Sequence, residues 1–75
     1  MLFGKQEKLK VGVIGVGVLG RFHTKLYREN PNVDLVGVFD VSSSQAAKIA
    51  QEFGTKAYAS EAELAAQCDA LTVAV

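Results

Sequence analysis

The chain alternates short apolar runs with longer stretches in which apolar residues recur three or four positions apart. Residues 10–14, Lys-Val-Gly-Val-Ile, are β-rich and apolar on both faces, as in the centre of a parallel sheet, and predict a first strand. From 18 to 29 the period changes. Leu19, Phe22 and Leu26 fall at i, i+3 and i+7 and predict a buried stripe, with Arg21, Lys25 and Arg28 as a second, solvated stripe of an amphipathic helix. Asn30-Pro31 stops that helix, because the residue before proline avoids the helical region. Residues 33–39 then read as a second buried strand.

Ser42 with Gln45 three positions on predicts a capped helix start, and Ala46, Ala47, Ile49, Ala50 and Phe53 continue at helical spacing to Gly54, a natural stop. Residues 56–58 predict a short third strand. Ser60 with Glu63 predicts a small helix through Gln67, and residues 70–75 are a fourth apolar run. The order β-α-β-α-β-α-β implies an α/β fold with parallel strands and right-handed crossovers: the first four strands of a doubly wound sheet. A buried fourth strand calls for a further covering helix, so the pattern predicts the front part of a longer protein. Residues 1–8 read as a flexible polar lead and residues 9–75 as a partial domain.

Composition narrows the class. Of 75 residues, 49% are hydrophobic and 21% charged, which excludes a disordered tail. The longest uncharged apolar stretch, residues 11–20, is too short to span a membrane, and the polar start lacks a leader pattern, so a cytoplasmic protein is expected, with no membrane partner. One cysteine, Cys68, and one histidine, His23, offer neither an internal disulfide nor a metal-ligand set, and no metal is expected. Net charge is zero, but residues 1–28 carry six basic residues against one acid and residues 29–75 carry two against seven. The positive half reads as a solvated surface or as a mildly positive setting for an anionic ligand; without a basic run, nucleic acid is not a partner.

Gly15-Val16-Gly17-Val18-Leu19-Gly20 fits G-x-G-x-x-G, and it directly follows a predicted strand and opens a predicted helix, the context that makes the spacing a dinucleotide fingerprint. Gly15 permits the tight turn, Gly17 lets a pyrophosphate approach the backbone, and Gly20 permits close helix packing. The free N–H groups of Val18 and Leu19 at the helix start then face the phosphates. The other reading is a turn kept glycine-rich for packing alone. Asp40 stands 20 residues after Gly20, at the end of the second strand, where a carboxylate accepts from adenosine ribose hydroxyls. That favours NAD as the cofactor; NADP stays open because serine hydroxyls in the turn 42–44 can bond a phosphate. Asp40 also suits a turn or a cap of the second helix, and both jobs are compatible. In a doubly wound Rossmann sheet the ligand crevice lies at strand carboxyl ends, which places Ala74 and Val75, with Val73, beside the cofactor. His23 reads as a packed histidine rather than an acid–base catalyst, and Cys68 as a buried small hydrophobe.

The run VGVIGVGVLGRFH, then ENPNVDLVGVFD, then a Ser/Ala-rich helix ending in Glu52-Phe53-Gly54, then Leu71-Thr72-Val73-Ala74-Val75, together resemble the glucose–fructose oxidoreductase / inositol dehydrogenase / rhizopine-catabolism family over residues 9–75. His23 also fits the family's first-helix pattern. The resemblance implies a two-domain oxidoreductase that transfers hydride between a sugar, cyclitol or polyol hydroxyl and NAD(P). It implies a second α+β domain supplying substrate contacts and a homo-oligomer interface. Gly15, Gly17 and Gly20 would serve the pyrophosphate, Asp40 the ribose, and residues 73–75 the adenosine–nicotinamide side. The family's Pro-containing loop and catalytic Glu-Lys-Pro motif would follow Val75, so no catalytic residue is named within the chain. A non-catalytic dinucleotide-sensing module is the alternative from a different class.

Overall fold

The computed structural model describes residues 8–74, so the polar lead, apart from Lys8, and Val75 lie outside the described residues. Seven elements follow in order: β1 (Leu9–Ile14), α1 (Val18–Glu29), β2 (Val33–Phe39), α2 (Ser43–Phe53), β3 (Lys56–Ala57), α3 (Glu61–Ala66) and β4 (Ala70–Val73). All pairings are parallel and the spatial order is β3-β2-β1-β4. The chain thus winds away from β1 in one direction through β2 and β3, then returns to pair β4 on its other side. This reversal is the switch point of a doubly wound Rossmann sheet, where strand carboxyl ends diverge into a crevice.

Helices cover both faces. Val13, Val16 and Val38 are fully buried against Ala46, Ile49 and Ala50 of α2, with Tyr27, Leu35, Phe53 and Ala57 packed around them. On the opposite face α3 seats Leu64 over Gly12, where a Cβ would stand 2.8 Å from the leucine side chain, so only the bare backbone lets the helix come this close. Cys68 closes the same contact; burial and the neighbouring Asp69 charge push its thiol pKa up, which favours the protonated form.

The helix signals act as the sequence predicts. Ser42 Oγ accepts from Gln45 N, Ser60 Oγ accepts from Glu63 N, and Gly54 ends α2 in the left-handed region at φ 66°. The strand ends are slightly shorter than predicted. Tyr58 and Ala74 still donate backbone hydrogen bonds to Val38 and Ile14, but lie past the ladders of β3 and β4.

The orientation of α1 differs from the prediction. Leu19, Phe22 and Leu26 are 52%, 54% and 46% exposed, whereas Gly20 and Thr24 are the residues buried against the sheet, flanked by half-buried His23 and Tyr27. The reason is chemical. Thr24 returns its hydroxyl to the Gly20 carbonyl at 2.7 Å, so a residue counted as polar enters the interior with its hydrogen bond made, and the phenol of Tyr27 bonds the Thr72 hydroxyl. The basic stripe is exposed but not idle: Arg21 pairs with Glu52 and lies over the Phe53 ring, and Arg28 donates to the Phe53 carbonyl at 2.7 Å, tying α1 to α2. Hydrogen bonding from Arg21 holds the Glu52 carboxyl below its ordinary range.

Candidate dinucleotide site

The turn between β1 and α1 is built by its own backbone. Gly15 sits at φ 89°, and a Cβ there would meet the Ala74 carbonyl oxygen at 2.1 Å. At Gly20 a Cβ would overlap the Gly15 carbonyl oxygen at 1.6 Å, so this glycine is demanded by the turn folding onto the first coil of α1. Gly17 is different: a Cβ there would meet nothing within 4 Å, and its backbone is extended, at φ −70° and ψ −153°, rather than left-handed. Neither a clash nor a positive φ calls for a glycine at 17. As the N-cap of α1 it offers no side-chain bond, and the first turn carries no acidic residue, so the helix start presents bare N–H donors with Val18 92% exposed beside them.

Asp40 lies beyond the end of β2 and is half-buried. Its Oδ2 accepts from Val16 N at 2.9 Å and its Oδ1 from Ser42 N at 2.8 Å, so one carboxylate joins the glycine turn to the start of α2. The turn role weighed for this residue is therefore real. Each oxygen, with one N–H accepted, retains capacity for another donor. From α2, Gln45 Nε2 donates to the Val16 carbonyl at 2.9 Å.

Beside this turn opens a concavity of about 350 Å³, lined by Ile14, Gly15, Phe39, Asp40, Val41, Glu61, Val73 and Ala74. It lies at the carboxyl ends of β1, β2 and β4, where the topology predicts a ligand crevice. Of the residues singled out by sequence, Gly15, Asp40 and Ala74 line it, Gly17, Val18 and Leu19 form the adjoining helix start, and Gly20 is buried beneath. Val75 falls outside the described residues. Sequence reasoning missed Val41, Glu61 and Gln45. Val41 had a visible signal, an aliphatic residue between Asp40 and three serines, and it is 96% exposed; Glu61 and Gln45 looked like ordinary helix-start residues. His23 packs edge-on against Phe22, ring centroids 6.2 Å apart, and does not line the concavity.

The family described as an oxidoreductase family with an NAD-binding Rossmann fold, GFO_IDH_MocA, matches residues 9–75. The chain belongs to the GFO/IDH/MocA oxidoreductase family. It is 42% identical over 65 residues to the UDP-N-acetylglucosamine 3-dehydrogenase of Acidithiobacillus ferrooxidans, covering 87% of this chain and 20% of that protein. A solved structure of this dehydrogenase superposes with a TM-score of 0.86 at 38% identity over 93% of the present chain and 22% of the other. The glucose-6-phosphate 3-dehydrogenase of Bacillus subtilis is 34% identical over 65 residues, 87% of this chain and 19% of its own length. The myo-inositol dehydrogenase of Lactobacillus casei, solved with NAD(H) and myo-inositol, superposes with a TM-score of 0.79 at 29% identity, over 89% of this chain and 21% of that one. The chain spans about a fifth of the length of the curated relatives it matches. The GFO/IDH/MocA fold thus accounts for the parallel sheet and the glycine turn together. No helix among the described residues is long and apolar enough to cross a membrane.

Proposed function

We propose that this chain is the dinucleotide-binding part of an NAD-dependent oxidoreductase acting on a hydroxyl of a sugar, cyclitol or related polyol. The observation that carries the reading is Gly17, a glycine that neither a positive φ nor packing requires, at the uncapped start of α1. A ligand that must touch the backbone there explains it, and a pyrophosphate is the ligand that bare N–H donors at a helix start favour. Gly15, Gly17 and Gly20 shape this cradle, Val18 and Leu19 supply N–H groups, Asp40 accepts from the adenosine ribose, and Ala74 and Val75 wall the crevice. When bound, the nicotinamide supplies the hydride acceptor or donor.

The site supports NAD over NADP. A carboxylate at Asp40, beyond the end of β2, would repel a 2′-phosphate, and the Ser42 N–H, a donor a phosphate would call on, already bonds Asp40. The substrate class rests on the relatives, whose names place them on a sugar nucleotide, a sugar phosphate and a cyclitol. On this reading the substrate contacts, the catalytic residues and the homo-oligomer interface lie in the part of the relatives that the chain does not span, and the protein works in the cytoplasm. A purely sensing module draws no support from relatives named as dehydrogenases. Calorimetric titration of the purified protein with NAD, NADP and ADP tests the reading: NAD and ADP should bind and NADP should bind more weakly, whereas no binding of either NAD or ADP would overturn it.

A further inference from the structure

In the sequence, Gln45 is the fourth residue of a Ser-x-x-Gln capping box, whose side chain normally reaches back to the N-cap N–H. In the structure that N–H, on Ser42, is already taken by Asp40 Oδ1 at 2.8 Å. Gln45 is released from the cap and turns instead to the Val16 carbonyl, 2.9 Å away. Val16 is fully buried and is gripped at both ends, its N–H by Asp40 and its carbonyl by Gln45.

The consequence follows from peptide geometry. In a trans peptide the C=O and the next N–H point in opposite directions. With the Val16 carbonyl held toward α2, the Gly17 N–H is directed away from α2, and among the described residues it has no acceptor. The same peptide has a glycine on its far side, and glycine tolerates positive φ, so this peptide is the one in the turn most free to flip. A flip would replace the donor by a carbonyl oxygen and present negative charge to an anion. The feature that admits a pyrophosphate thus also endangers the donor that would bind it.

We infer that Gln45 is a positioning residue of the dinucleotide site: by fixing the Val16 carbonyl it prevents the Val16–Gly17 peptide from flipping and keeps the Gly17 N–H available to the pyrophosphate. This rests on the proposed dinucleotide function for its ligand, though not for the clamp itself. Asp40 is the second arm, so the ribose acceptor and the phosphate cradle are held in register by one buried residue.

Two variants of the purified protein test it. Gln45→Ala removes the donor; Gln45→Glu keeps the length, replaces the donor by an acceptor, and adds an acid to a first turn of α2 that has none, which favours the helix. Loss of one such bond should weaken NAD and ADP about tenfold, and adenosine, which has no phosphate, less than about twofold. In the ligand-free protein the Gly17 amide resonance should shift and broaden in both variants while those of residues 47–53 hold. Equal weakening of adenosine and ADP, or an unchanged Gly17 resonance, would overturn the inference. Should the unsubstituted protein bind no dinucleotide, the functional reading fails, and the Gly17 resonance still decides the clamp.

Discussion

Gly17 and Gly20 belong to one turn, yet they answer to different demands. A methyl at 20 would overlap the Gly15 carbonyl oxygen, while a methyl at 17 would stand in open space. Gly20→Ala should therefore destabilise the fold by about 3 kcal/mol or more, because backbone must move to relieve the overlap. Gly17→Ala should change stability by less than about 1 kcal/mol, the small N-cap loss being offset by a less flexible unfolded chain. NAD affinity should nevertheless fall at least about tenfold in Gly17→Ala, since the methyl occupies the approach to the N–H donors. Urea unfolding and calorimetric titration on both variants separate the two demands, and a Gly17→Ala protein that binds NAD normally would remove the pyrophosphate from this turn. Asp40 combines the demands in one side chain. Asp40→Ala removes the proposed ribose acceptor and frees the Val16 and Ser42 N–H groups together. Its NAD affinity should drop and its NAD-to-NADP preference should narrow, read by paired titrations; a preserved preference would confine Asp40 to the turn.

At the level of elements, the sequence was most legible where a residue's chemistry acts locally. Pro31 ends α1, Ser42 and Ser60 cap α2 and α3, and Gly54 takes the left-handed stop, each within a few residues of its own signal. Gly54 offers a direct check. A Cβ there has room, its nearest neighbour being Arg28 at 3.8 Å, so the cost of Gly54→Ala is conformational alone, about 1 kcal/mol by thermal or urea unfolding. A neutral result would mean that α2 ends differently in solution. What the sequence concealed was which of several available partners a polar side chain takes. Thr24 was not among the positions that periodicity marked as buried; its hydroxyl bond to the Gly20 carbonyl lets it sit in the core. Gln45 read as a cap partner, whereas Asp40, two residues before Ser42 in the same turn, takes the Ser42 N–H and leaves the Gln45 amide to the Val16 carbonyl. The spacing of the glycine triplet and Asp40 marked a candidate site, but their junction at Val16 was not legible, since it joins residues 24 positions apart.

Across the whole molecule the apolar surface divides unevenly. One set of side chains, Val13, Val16, Val38 and Ile49, is sealed between the sheet and α2; another, Leu19, Phe22 and Leu26 along α1 with Leu71 and Val73 on β4, remains about two-fifths to three-fifths exposed. On this face the sealed core is the α2 layer, and α1 is held to it by Tyr27, Arg21 and Arg28 rather than by its apolar stripe. This division predicts a contrast between two large-to-small substitutions. Ile49→Ala empties a fully buried position and should cost about 2–5 kcal/mol. Phe22→Ala removes a larger side chain, but one already 54% exposed, and should cost less than about 1 kcal/mol. Both are read from the urea midpoint at constant slope, so that a change in stability is not confused with a change in the unfolded ensemble. Comparable costs would show that Phe22 is covered by a surface beyond the elements described, and the exposed stripe of α1 would then be part of a larger interior rather than a face of the fold.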